Sequence, residues 1–200
     1  MSKNANKRIN TKSIAVTAIM SAIGFILMVL EFPLPFIIPP FIKFDFSELP
    51  AIITAFALGP IQGIVVCFVK NLLHLFISST AGVGELSNFI LGAIFVGIAG
   101  VIYKYKKTRV GALIGSLTGA FLMAVISVAT NYFITYPFYT NFMPLEGIIG
   151  AYQAILPSCD SLLKCLIVFN VPFNFAKGII DAVICFVVYK KLSPILKPKL

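Results

Sequence analysis

Phe89-Ile-Leu-Gly-Ala-Ile-Phe-Val-Gly-Ile-Ala-Gly-Val-Ile102 decides the fold class. The run carries no polar side chain and no polar–apolar alternation, so it reads as a lipid-solvated helix and not as a strand of a membrane barrel. The rest of the chain has the same character. Of its 200 residues 59% are hydrophobic and 12% charged, and the mean hydropathy is +0.99. Soluble domains carry roughly 25% charged residues, and a small domain leaves too much surface in water to hide this much apolar area. Crossing about 30 Å of hydrocarbon takes roughly 20 helical residues, so the length accommodates about six crossings.

Working outward from that run, breakers and charges predict an all-α integral membrane protein. It forms a single membrane domain over 1–200, with helices at about 13–31, 47–58, 61–78, 85–103, 110–135 and 170–190. Ser47 reads as the N-cap of the second helix, with Glu48 and Pro50 in its first turn. Gly59-Pro60 ends that helix and Pro137 the fifth, while 138–168 is ambiguous apart from a helical patch near 146–156. The first run, Ser13–Leu30, is too long for a signal-peptide core.

The formal charge of +9 does not indicate nucleic acid, because the cations flank the apolar runs. Lys3, Lys7, Arg8 and Lys12 precede the first. Lys104, Lys106, Lys107 and Arg109 separate the fourth from the fifth, and Lys190, Lys191, Lys197 and Lys199 close the chain. With six crossings, the positive-inside rule puts all three clusters and both termini on the cytoplasmic side. Glu31, Asp45, Glu48, Glu85, Glu146 and Asp160 then fall outside.

No P-loop and no HExxH motif occurs, and His74 is the single histidine, which excludes a multi-histidine metal centre and P-loop ATP binding. Cys67, Cys159, Cys165 and Cys185 read as packing residues, although Cys159 and Cys165 share one external loop and could pair. Polar groups inside apolar helices face the bundle interior or a cavity. Asn174, Lys177 and Asp181 form one stripe, Ser127, Asn131 and Thr135 another, and Glu85 and Asn88 share a side of helix 4. These stripes read as the walls of a pocket open to the outside, or as structural: Lys177 and Asp181, at i,i+4, can neutralise each other. Lys70, Asn71 and His74 read as structural. Phe41, Phe44, Phe46, Tyr132, Tyr136, Phe138, Tyr139, Phe173 and Phe175 gather at the same level, and aromatic walls with convergent amides suit a flat heteroaromatic ligand. The small-residue pairs Ala18/Ala22 and Gly111/Gly115/Gly119 permit close helix approach, within the bundle or to a partner.

Phe44-Asp-Phe-Ser-Glu-Leu-Pro50, Ala57-Leu-Gly-Pro60, Lys70-Asn-Leu-Leu-His74, Gly82-Val-Gly-Glu-Leu-Ser-Asn-Phe89 and Asn174-Phe-Ala-Lys177 resemble the riboflavin-specific S components of energy-coupling factor (ECF) transporters. The resemblance implies a six-transmembrane-helix bundle of the ECF S-component type in the cell membrane. It also implies no enzymatic activity and no cofactor, with riboflavin as the transported ligand. The partners it implies are a transmembrane coupling subunit and two ABC-type ATPases. The site it implies comprises Asn131, Asn174, Lys177, Asp45, Phe46, Glu48, Leu49, Asn88 and Tyr132, roofed by the loop between helices 1 and 2, with Ala18 and Ala22 docking the coupling subunit. An S component for thiamin or biotin, a membrane-embedded lipid-modifying enzyme and a helix-holding scaffold are the alternatives.

Overall fold

The computed structural model describes residues 11–196, with side chains to 189. Lys3, Lys7, Arg8, Lys197 and Lys199 lie outside the described residues, as do the side chains of Lys190 and Lys191. Nine α-helical segments occur in this stretch: α1 Thr11–Val29, α2 Glu48–Leu58, α3 Pro60–His74, α4 Val83–Tyr105, α5 Arg109–Thr130, α6 Tyr136–Tyr139, α7 Leu145–Gln153, α8 Leu162–Cys165 and α9 Val171–Leu196. Five continuous stretches are long and apolar enough to cross a bilayer: Thr11–Val29, Pro60–Ile77, Val83–Tyr105, Arg109–Tyr139 and Leu162–Tyr189. The segment expected at 47–58 is different. Helix α2 has 11 residues, a length of about 16 Å, roughly half a hydrocarbon core.

The break at Gly59-Pro60 is real. Gly59 has φ 114°, a conformation that favours glycine, and Pro60 starts α3 where its missing N–H costs nothing. The chain folds back on itself there. Gly63 lies against Ala51 and Ala55, and Lys70 reaches Glu48, so α3 retraces α2 in the opposite direction.

Two other boundaries differ from expectation. The fifth span passes Pro137 and runs to Tyr139, through a π-helical turn at Asn131–Thr135. The last begins at Leu162, eight residues before the expected 170, through a π-helical turn at Leu166–Asn170. Each turn ends two residues before a proline, Pro137 or Pro172. Proline lacks an N–H and clashes with the carbonyl four residues back. Widening the helix by one residue per turn lets the span continue where an α-helix would kink or stop.

Helices α4 and α5 pack as closely as their glycines allow. A side chain on Gly119 would come within 2.5 Å of the Phe95 carbonyl oxygen, and one on Gly115 within 2.8 Å of that of Ala99. This glycine stripe is spent inside the bundle. The main core joins α2, α3, α4, α5 and α9 around Ile52, Val66, Phe95, Ala120 and Cys185. A second apolar cluster, with Ile38, Tyr136, Ile148, Tyr152, Leu166 and Phe169, gives the ambiguous 138–168 segment its place: α7 packs beside the π-helical ends. Cys159 and Cys165 sit in this cluster as free buried thiols. Ala18 and Ala22 are exposed, on the side of α1 opposite Met20, Ser21, Gly24 and Met28. They are not packed within this chain.

Candidate ligand-binding site

The loop between α1 and α2 closes one end of the bundle. Its strands β1 (Phe32–Pro33) and β2 (Lys43–Phe44) pair antiparallel, Phe32 opposite Phe44. A Lys43–Glu31 ion pair sits beside them. Phe41 reaches from this loop to make edge contacts with Tyr136, Tyr139 and Tyr152, at centroid distances of 6.4, 6.5 and 6.1 Å. Beneath the loop lies a cavity of about 170 Å³.

Asn131, Asn174, Lys177, Asp45 and Asn88 all line this cavity. Five residues from four separate elements thus converge on one space. Phe46, Glu48, Leu49 and Tyr132 do not line it. Phe46 packs edge-on to Phe44 at 5.1 Å, Leu49 packs against the main core, and Tyr132 is 41% exposed beside Phe133. Of the expected aromatics, Phe41, Tyr136, Tyr139 and Phe173 are in the lining.

Lys177 makes its direct ion pairs with residues other than Asp181. Its ammonium binds Asp45 Oδ2 and Glu48 Oε2, each at 2.9 Å. Glu48 Oε1 accepts from Lys70 Nζ at 2.6 Å, and Lys70 also donates to Ser47 Oγ. Glu48 is therefore the bridge between two buried lysines and stands behind the cavity wall. Ser47 occupies the N-cap position of α2 as expected, but its backbone is helical and its side chain makes no capping bond. The Ser47 N–H instead donates to Asp45 Oδ1 at 2.7 Å, which turns the Asp45 carboxylate toward Lys177. Burial pushes the Asp45 carboxyl up, but the Lys177 and Lys70 charges, with hydrogen bonds from Lys177 and Ser47, outweigh it and bring it to about 2. Asp45 is an anion at any physiological pH.

The amides are oriented by their neighbours. Ser87 Oγ donates to Asn131 Oδ1 at 3.4 Å, Asn71 Nδ2 to Asn88 Oδ1 at 3.1 Å, and Tyr152 Oη to Asn170 Oδ1 at 2.8 Å. With those oxygens engaged, Asn88, Asn131 and Asn170 keep N–H groups for a ligand. Asn174 does the reverse, donating to the Asn170 carbonyl at 2.8 Å and keeping its oxygen free. Tyr136 shares a hydrogen bond with Tyr152. Burial and the neighbouring Tyr136 push the Tyr152 phenol up, so it stays a neutral donor. His74 Nδ1 meets Glu85 Oε1 at 2.8 Å, and Ser78 and Thr80 hydroxyls donate to Glu85 Oε2 at 2.8 and 2.9 Å. His74 and Glu85 are also in the lining.

Thr135, expected in a pocket wall, lines the cavity, whereas sequence reasoning missed Asn170, Glu31 and Lys43 as lining residues. Asn170 lies one helical turn before Asn174, and a proline interrupting an apolar run between them was the available signal. Among the described residues no cluster of His, Cys, Asp and Glu could hold a metal.

The family model for the substrate-specific component of ECF transporters matches residues 12–189. Among curated proteins, the chain is 33% identical to riboflavin transporter RibU of Staphylococcus aureus (strain TCH60), across 97% of this chain and 98% of that one. It is 35% identical to riboflavin transporter FmnP of Bacillus subtilis (strain 168), across 92% and 93%. It also resembles a solved structure described as "Structure and mechanism of the S component of a bacterial ECF transporter", with TM-score 0.73, 32% identity and coverage of 94% of this chain and 98% of that one.

Proposed function

The chain belongs to the substrate-specific components of ECF transporters, and on that footing we propose that it is the riboflavin-capturing subunit of a vitamin importer in the cell membrane. The convergence of Asn131, Asn174, Lys177, Asp45 and Asn88 on one cavity carries this reading. The isoalloxazine ring has a broad apolar body and an imide edge on which two carbonyls flank one N–H. Three amide donors (Asn88, Asn131, Asn170) and one amide acceptor (Asn174) suit an edge richer in acceptors than in donors. Phe41, Tyr139 and Phe173 supply ring faces and edges for the flat body. Lys177 spends two of its three N–H groups on Asp45 and Glu48 and has the third for a ring carbonyl or a ribityl hydroxyl, while Asp45 can accept from the ribityl chain.

The cavity end carries Glu31, Asp45, Glu48 and Glu85, and the opposite end the Lys104–Arg109 turn. That polarity supports an extracellular site and cytoplasmic termini. The hairpin of α2 and α3 reverses the chain, so that α2 acts as a short pass beside the full pass of α3 in a six-pass topology. The cavity is smaller than the roughly 300–1,000 Å³ usual for small-molecule sites, so the α1–α2 loop lifts to admit the vitamin and closes over it. The subunit then docks through the exposed Ala18/Ala22 side of α1 on a transmembrane coupling subunit. Two partner ATPases drive release inward.

Titration of the purified protein with riboflavin, followed by flavin fluorescence, tests the assignment. Quenching of flavin fluorescence that thiamin and biotin do not compete away is expected, and no quenching by the native protein would overturn the assignment. Lys177→Ala removes a ligand donor and takes the ammonium partner from Asp45, while Glu48 keeps Lys70, so it binds riboflavin much more weakly. Unchanged affinity in that variant would restrict Lys177 to a structural role.

A further inference from the structure

A second cavity, of about 660 Å³, lies at the other end of the bundle between the α4–α5 turn and the later part of α9. Its floor includes Ala112 and Cys185, both buried, whose small side chains leave the space open. One wall is aromatic. The Phe56 ring stands 4.8 Å from Tyr103 and 6.1 Å from Tyr189, and the Tyr189 hydroxyl donates to the Phe56 carbonyl at 3.1 Å, which fixes that wall in place.

The lip is cationic. Lys107, Thr108 and Arg109 line it, and Thr108 Oγ1 accepts from the Gly111 N–H at 3.0 Å as the cap of α5. The positive end of a 22-residue helix therefore adds to the two side-chain cations. None of the described lining residues is acidic. The side facing lipid is open: Val187, in the lining, is 72% exposed, and Val183 one turn away is 56% exposed.

A basic lip beside an aromatic wall, opening sideways where an apolar span meets a charged turn, matches a molecule with a phosphate at one end and hydrocarbon at the other. We propose that this cavity seats an acidic phospholipid. Its phosphate lies against Lys107, Arg109 and the α5 N-terminus, and its glycerol and first acyl carbons lie over Phe56 and along Val187. Charge complementarity selects the lipid: a zwitterionic headgroup would bring its own ammonium up to two cations, whereas an acidic one does not. Inorganic phosphate would satisfy the lip and leave the aromatic wall wet.

The full chain, purified in detergent and offered equal phosphatidylglycerol and phosphatidylcholine, is read by native mass spectrometry for retained lipid. Phosphatidylglycerol is retained preferentially, and excess inorganic phosphate does not displace it. The double variant Lys107→Ala/Arg109→Ala reduces its retention about tenfold or more without changing that of phosphatidylcholine. Val187→Glu, at an exposed position that leaves the core intact, reduces it by setting a negative charge on the lip. Equal retention of the two lipids, undiminished phosphatidylglycerol in the double variant, or displacement by phosphate would each overturn the proposal.

Discussion

At the scale of single residues, the site depends on groups that never touch a ligand. Tyr152 is buried in the second apolar cluster, yet its hydroxyl fixes which end of Asn170 faces the cavity. Tyr152→Phe removes that donor while keeping the ring, so riboflavin affinity falls by about 0.5–1.5 kcal/mol, roughly two- to tenfold. Combined with Asn170→Ala it adds little further loss, a coupling that a double-mutant cycle in the fluorescence titration measures. Asp45 gives a pH test. Its carboxyl is lowered from 3.8 to about 2 in the folded protein, so the stabilisation it brings is complete above about pH 4 and disappears as pH falls through about 2. Riboflavin affinity is thus expected to be the same at pH 5 and pH 7, and a loss of binding at pH 5 would place the titrating group elsewhere.

At the scale of elements, what the sequence made legible followed from local rules. The apolar run of α4, the reversal at Gly59-Pro60 and the Asn174–Lys177 stripe each follow from neighbours within a turn or two. The π-helical turns are not legible because a period of 3.6 residues assumes unbroken α-helix, and Pro137 reads as a stop where the wider turn carries the span through. The Asp45–Lys177 pair joins residues 132 positions apart, and nothing local marks it, so i,i+4 spacing pointed to Asp181 instead. Glycine spacing was legible, though not its use. Gly119→Ala sets a methyl group against the Phe95 carbonyl oxygen and forces α4 and α5 apart, at about 1–3 kcal/mol. Gly150 in α7 has no atom within 4 Å of its would-be side chain, so Gly150→Ala stabilises by about 0.5–1 kcal/mol through lost chain entropy. Thermal unfolding in detergent separates them, with a lower midpoint for the first and an equal or higher one for the second.

At the scale of the whole molecule, the proposed functions assign separate tasks to the two ends of the bundle and to the flank of α1. Since Ala18 and Ala22 are exposed and far in sequence from the cavity lining, replacing Ala22 with Trp leaves riboflavin titration unchanged. Vitamin uptake by cells and co-purification of the coupling subunit are lost. If uptake survives, the docking face is on another helix. The union of Asp45 with Lys177 also has a consequence for how the protein is made. During synthesis the α1–α2 loop leaves the ribosome long before its counter-ion, and Lys70 is the first cation to arrive. The loop gains this counter-ion only when the span that carries Lys177 has been inserted, so a nascent chain that stops short of residue 177 lacks the pair that joins Asp45 to α9.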